Sequence, residues 1–148
     1  MAPRLIVHAG FHKTGTTSVQ KTLLANRDAL AGHLQFKLRT HMLPLCEAAR
    51  AWSVKRDPLD LGLVQYEAAL AVEDWTGATP LLLSSEDLSG HMPGRHGLKS
   101  YAAAPTLAAA MVTAWRAVHP QAQIVLLYTT RGADRWLASC YVQHLRAT

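Results

Sequence analysis

The sequence predicts an α/β protein, a three-layer α/β/α sandwich around a mainly parallel sheet, formed as a single domain over residues 1–148. Short apolar, β-branched runs recur along the chain, and stretches with helical spacing of apolar residues alternate with them. The first of these runs opens directly into a loop carrying two glycines. With 49% hydrophobic and 17% charged residues in 148 positions, the chain can bury one core.

Each element follows from a local pattern. The run from Arg4 to Ala9 stops at Gly10 and reads as a buried strand entering a loop. A helix follows, capped by Thr16 or Thr17, with Val19, Leu23, Leu24 and Ala25 as its apolar stripe. Leu34 to Leu38 reads as a short strand. Leu43 to Trp52 and Leu59 to Trp75 read as helices separated by Asp57-Pro58. Two further apolar runs, Pro80 to Ser84 and Gln123 to Tyr128, have the composition of buried parallel strands. Between them Gly90 to Gly97 is a loop, and Leu107, Met111, Trp115 and Val118 recur at helical spacing until His119-Pro120 ends the pattern. Ala133 to Arg146 closes the chain as a helix whose inward face is expected to be Trp136, Leu137, Cys140, Tyr141 and Leu145.

Composition narrows the function. A net charge of +5 suits an anionic ligand, but the basic residues are scattered, which favours a compact anion over nucleic acid. Cys46 and Cys140 are too few for a disulfide framework and read as buried thiols; no Cys/His spacing suggests a metal site. The N-terminal apolar run ending at Val7 is too short for a signal peptide or a membrane span, so a cytoplasmic protein is expected.

The loop Gly10-Phe-His-Lys-Thr-Gly-Thr-Thr17 lies between a predicted strand and a predicted helix. Glycines let several N–H groups turn toward one anion, and the helix N-terminus adds partial positive charge. The nucleotide-triphosphatase form of this loop places Lys directly after the second glycine. Here Thr16 stands there and the lysine, Lys13, has moved inside the loop, where it can steady charge on a leaving phosphate. No apolar strand runs directly into a magnesium-holding Asp; Ser84-Ser85-Glu86-Asp87 is the nearest approach. Near the other end, Arg131 closes a strand and Ser139 lies two helical turns further on, so guanidinium and hydroxyl can converge on one phosphate.

His12-Lys13-Thr14-Gly15-Thr16-Thr17-Ser18 resembles the 5′-phosphosulfate loop of sulfotransferases that use 3′-phosphoadenosine 5′-phosphosulfate. Arg131 and Ser139 resemble that family's 3′-phosphate pair, and the Tyr141-Val142-Gln143 that follows fits its habit. Many members carry Pro before the lysine and Trp after the threonines, where this chain has His12 and Ser18. The resemblance, nearest to bacterial and carbohydrate sulfotransferases, implies a P-loop NTPase-like fold. It also implies 3′-phosphoadenosine 5′-phosphosulfate as co-substrate without a metal, and a hydroxyl or amine acceptor on a small molecule, lipid or carbohydrate. Relatives usually run on through a basic segment that closes over the nucleotide, so relative to them the chain is truncated at its C-terminus. If the chain is complete, weaker nucleotide binding is expected; if it is a fragment, self-association through uncovered surface is expected.

Transfer needs a group that takes the acceptor's proton. Glu86, closing the strand Leu81 to Ser85, is the first choice, with His91 the alternative and His12 a third; Asp87 reads as structural. His8, inside the first strand, reads as a core histidine. Two other functions remain open at this point: a P-loop phosphotransferase or nucleotidase with Glu86 or Asp87 on magnesium, and an inactive domain that binds adenosine bisphosphate without turnover.

Overall fold

The computed structural model describes residues 1–147. Its elements run β1 (Arg4–Gly10), α1 (Thr16–Ala25), α2 (Arg27–Leu30), β2 (Gln35–Leu38), α3 (Leu43–Lys55), α4 (Leu61–Val72), β3 (Leu81–Ser84), α5 (Ala104–Val118), β4 (Gln123–Tyr128) and α6 (Ala133–Ala147). Short 3-10 turns lie at Arg39–His41, Pro58–Asp60 and Glu86–Ser89.

The four strands form one sheet in the order β2-β3-β1-β4, every pair parallel. Leu5 aligns with Leu81 and Ile124, and Ile6 with Leu82 and Val125, so alternate residues point to opposite faces. On one face Leu5, Val7, Leu81 and Leu83 meet Leu45 of α3, Val64 and Val72 of α4, and Leu107, Met111 and Trp115 of α5. Each large apolar side chain buried there contributes about 1.5–3 kcal/mol. Trp115 also satisfies its indole N–H on the Ala68 carbonyl of α4, 2.9 Å away, so its burial leaves no polar group stranded. On the other face His8 is buried with Nδ1 2.9 Å from Ser84 Oγ, and Gln20 of α1 reaches the same hydroxyl. Helices therefore stand on both faces of the sheet, as an α/β sandwich requires.

Adjacent central strands leave the sheet in opposite directions, β1 through α1 and β3 through α5. Ligands of open α/β sheets bind where such connections diverge, beyond the carboxyl ends of the strands.

Several expectations are corrected. Neither Thr16 nor Thr17 caps α1; both lie inside it, and Gly15, at φ 90°, holds the cap position without a side-chain bond. Lys13 and Gly15 both take positive φ, so the loop turns into the helix through left-handed residues and leaves no extended position for a threonine cap. The stripe on α1 is weaker than the spacing suggests: Val19, Leu24 and Ala25 are exposed, while Thr16 is buried and Gln20 and Leu23 half-buried. A polar pair, Gln20 with Ser84, occupies the α1 contact where an apolar one was expected. β4 is parallel but lies at the sheet edge, leaving Val125, Leu126 and Leu127 exposed. On α6, Leu137, Tyr141 and Leu145 are exposed; only Trp136 and Cys140 of the expected face turn inward, joined by Ser139, Gln143 and His144. This inward face is polar because it borders a cleft and not the core. Among the described residues no helix is long and apolar enough to cross a membrane.

Candidate functional site

A cleft of about 500 Å³ opens at the carboxyl edge of the sheet. Its walls are the β1–α1 loop, the turn after β3, the loop following that turn, α3 and α6. Of the residues singled out in the sequence, His12, Lys13, Gly15, Thr16, Thr17, Glu86, His91, Arg131 and Ser139 line it. Thr14 and Ser18 do not. Thr14 turns its hydroxyl inward, donating to the Phe11 carbonyl at 2.5 Å and lying 2.6 Å from Thr129 Oγ1, so it braces the loop. Ser18 is exposed on α1.

The β1–α1 loop is fixed at many points. Phe11 N–H donates to the Thr129 carbonyl and Thr129 N–H to the Gly10 carbonyl, tying the loop to the end of β4. Tyr101 Oη accepts from His12 N–H at 3.0 Å, and Trp136 Nε1 donates to the His12 carbonyl at 2.8 Å. Arg131 Nη1 donates to the Lys13 carbonyl at 3.4 Å, so the two ends of the chain meet at this loop. Gly10 must be glycine: at φ 83°, a Cβ there would sit 2.8 Å from Glu86 Cβ. Lys13 holds φ 61° without being glycine, a conformation costing about 1–2 kcal/mol that the surrounding bonds impose. Its ammonium donates to Gln143 Oε1 of α6 at 3.2 Å. α1 then begins with no capping side chain and no acidic residue in its first turn, and its cap residue Gly15 and first residues Thr16 and Thr17 line the cleft.

Opposite the loop, Ser85 caps the turn that carries Glu86 and Asp87 by accepting from Asp87 N–H. Glu86 is half-buried and accepts from Gln20 Nε2 at 3.4 Å. Asp87 is buried and structural. Its oxygens meet Arg39 Nε at 2.7 Å, His12 Nε2 at 3.5 Å and Arg50 Nε at 3.9 Å. Burial works to raise its carboxyl, but the hydrogen bonds from His12 and Arg39, with the charge of Arg50, outweigh it and hold the group below the usual aspartate range. Both Asp87 oxygens are thus committed to cations, which leaves them poorly placed for magnesium. His12 is committed as well, with Nδ1 2.7 Å from Tyr101 Oη and Nε2 facing Asp87. Burial, and then the charge of Arg50 and the neighbouring His96, push His91 down to about 4, so its ring is neutral near pH 7.

Arg39, Arg50, Asp87, Met92, Arg95 and Gln143 also line the cleft. Of these, the arginines and Met92 had no mark in the sequence: the arginines are scattered, lie on different elements and share no periodicity. Beside Arg131 lies a second, smaller hollow of about 200 Å³ lined by Phe11, Thr14, Tyr101 and Trp136. Phe11 and Tyr101 stack there with ring centroids 4.2 Å apart.

Fold and site together define an α/β protein with a cleft at the switch point of a parallel sheet, lined by Lys13 and four arginines against Glu86 and Asp87, an excess of positive charge that favours an anion. No family model, curated protein or solved structure matches the chain.

Proposed function

We propose that the chain is the nucleotide-binding domain of a sulfotransferase, of P-loop type, that takes 3′-phosphoadenosine 5′-phosphosulfate and passes its sulfuryl group to a hydroxyl or amine. One observation carries this reading: two motifs far apart in sequence, the Lys13 loop and the Arg131/Ser139 pair, line one cleft, with Glu86 facing them. The loop amides, Lys13 and the start of α1 would hold the phosphosulfate, while Arg131 and Ser139 would hold the 3′-phosphate. The hollow beside Arg131, with its stacked aromatic rings, offers the adenine a seat that Ser18 cannot provide.

Transfer then needs no covalent bond to the protein. The acceptor oxygen or nitrogen forms a bond to sulfur as the bond from sulfur to the bridging oxygen breaks. The electron pair goes to the 5′-phosphate, leaving adenosine 3′,5′-bisphosphate. Glu86 takes the acceptor's proton, and Lys13 offsets the charge that grows on the departing phosphate. Glu86 suits the proton better than His12, whose ring nitrogens are both occupied.

The test is selectivity for the 3′-phosphate. The protein should bind adenosine 3′,5′-bisphosphate at least about tenfold more tightly than adenosine 5′-monophosphate, since a charge-assisted bond contributes about 1.5–3 kcal/mol. Arg131→Ala and Ser139→Ala should each narrow that gap. Equal affinity for the two nucleotides in the unaltered protein would overturn the assignment.

A further inference from the structure

The cations of the cleft fall into two groups by strand order. Lys13 follows β1 and Arg131 follows β4, so both belong to one side of the β2-β3-β1-β4 sheet. Arg39 follows β2 and Arg50 lies on α3, on the other side, while Arg95 comes from the loop after β3 that reaches from Ser53 of α3 to His144 of α6. Glu86, at the end of β3, stands between the groups. We propose that the β2/β3 half of the cleft is a second anion site, formed by Arg39, Arg50 and Arg95, and that it receives a sulfate, phosphate or carboxylate group carried by the acceptor.

The charge balance supports this assignment. Asp87 is the carboxylate facing these arginines, and it is shared between Arg39, Arg50 and His12. Each guanidinium carries several N–H donors, more than two shared oxygens can satisfy. The side chains of Arg39 and Arg50 stay 46% and 31% exposed, leaving donors open to the cleft. Among the described residues Arg95 has no carboxylate within ion-pair reach, although it is half-buried and lines the same cavity.

The loop that presents Arg95 is built, not loose. Gly90, at φ 90°, packs so closely on α3 that a Cβ would lie 2.5 Å from Ser53 Cβ, and His91 N–H donates to Ser53 Oγ. On the other side, a Cβ on Gly94 would lie 2.6 Å from His144 Nε2 of α6. Gly94 N–H donates to the Leu98 carbonyl and Leu98 N–H to the Arg95 carbonyl, closing the loop on itself. A guanidinium held on such a scaffold loses less freedom when it grips an anion. The depressed basicity of His91, caused in part by Arg50, fits a positive potential in this half.

The assignment of this anion to the acceptor rests on the sulfotransferase reading; the site itself does not. Inorganic sulfate is the probe, titrated into protein saturated with adenosine 3′,5′-bisphosphate and followed by the arginine Nε–H and backbone amide NMR signals, with sodium chloride at matched ionic strength as control. Acetate forms a second arm that separates carboxylate from sulfate preference. Saturable shifts at Arg50, Arg95 and His91 are expected, with sulfate affinity falling at least about fivefold in Arg95→Ala and less in Arg95→Lys. Urea unfolding midpoints within a few tenths of a molar of the unaltered protein, expected for both variants, would report that they fold. Shifts confined to the Lys13 loop, or no response beyond the chloride control in either arm, would overturn the site. Should the bisphosphate itself fail to bind, the donor reading falls, and the same titration without nucleotide still decides whether the second site exists.

Discussion

Replacing Asp87 with Asn removes one negative charge from the point where three cationic or protonatable side chains meet. The Asp87 side chain is 11% exposed, and its short bond to Arg39 Nε, 2.7 Å, is the interaction that weakens most. A hydrogen bond to a charged group contributes about 1.5–3 kcal/mol when buried. Because the Arg39 side chain is 46% exposed, water screens part of that bond, while Arg50 and His12 add smaller shares. A loss of about 2 kcal/mol in unfolding free energy at pH 7 is expected for Asp87→Asn. The pH dependence makes the test specific. Asp87 titrates lower in the folded chain than in the unfolded one. Its contribution is therefore fully present above the unfolded value of about 3.9 and is lost as pH falls through the folded value. Urea unfolding of both proteins should show a gap that is full at pH 7 and closes below about pH 4. A gap that persists unchanged to pH 3, or none at pH 7, would refute the role given to this carboxylate.

Three further outcomes are expected. Gly10→Ala forces a side chain into positive φ against Glu86 and should cost about 2–4 kcal/mol in urea unfolding; a cost under about 0.5 kcal/mol would mean that loop and turn do not touch. Glu86→Gln should slow sulfuryl transfer, followed as donor hydrolysis with water as acceptor, by about 10²–10⁴ while leaving bisphosphate affinity within about twofold; parallel loss of both would make Glu86 a binding residue. Val125, Leu126 and Leu127 on the open edge of β4, with Leu137, Tyr141 and Leu145 on α6, form exposed apolar surface, so sedimentation should show association that grows with concentration and weakens in Leu127→Lys. A single monomeric species throughout would count against that surface.

The elements that could be read from sequence are those whose local pattern and tertiary role agree. β1, β3 and the Leu107, Met111 and Trp115 stripe of α5 are buried as their apolar residues suggest, with only Val118 of that stripe exposed, and strand, glycine loop and α1 follow in the expected order. β4 shows where that agreement ends: an apolar run looks the same in a central strand and at an edge, because strand order is set by connections far away in sequence. α6 shows it differently. Its apolar side chains have helical spacing, yet the face that turns inward is the polar one carrying Ser139 and Gln143. Lys13 and Arg131 carry a mark in the sequence because each follows a strand, and Ser139 because it lies two helical turns beyond Arg131; the fold brings the three to one cleft. Arg39, Arg50 and Arg95 carry none, since only the folded sheet brings three unrelated segments to one wall. Asp87 was legible as structural, but its partners were not.

The central claim is that the cleft is a metal-independent site for a doubly phosphorylated adenosine. Calorimetric titration with adenosine 3′,5′-bisphosphate in the absence of magnesium, beside ATP with magnesium, tests it most directly when repeated on Lys13→Ala and Arg131→Ala. The account predicts preference for the bisphosphate and a loss of about tenfold or more in its affinity for each variant. Magnesium-dependent binding of ATP, unchanged by Arg131→Ala, would contradict it.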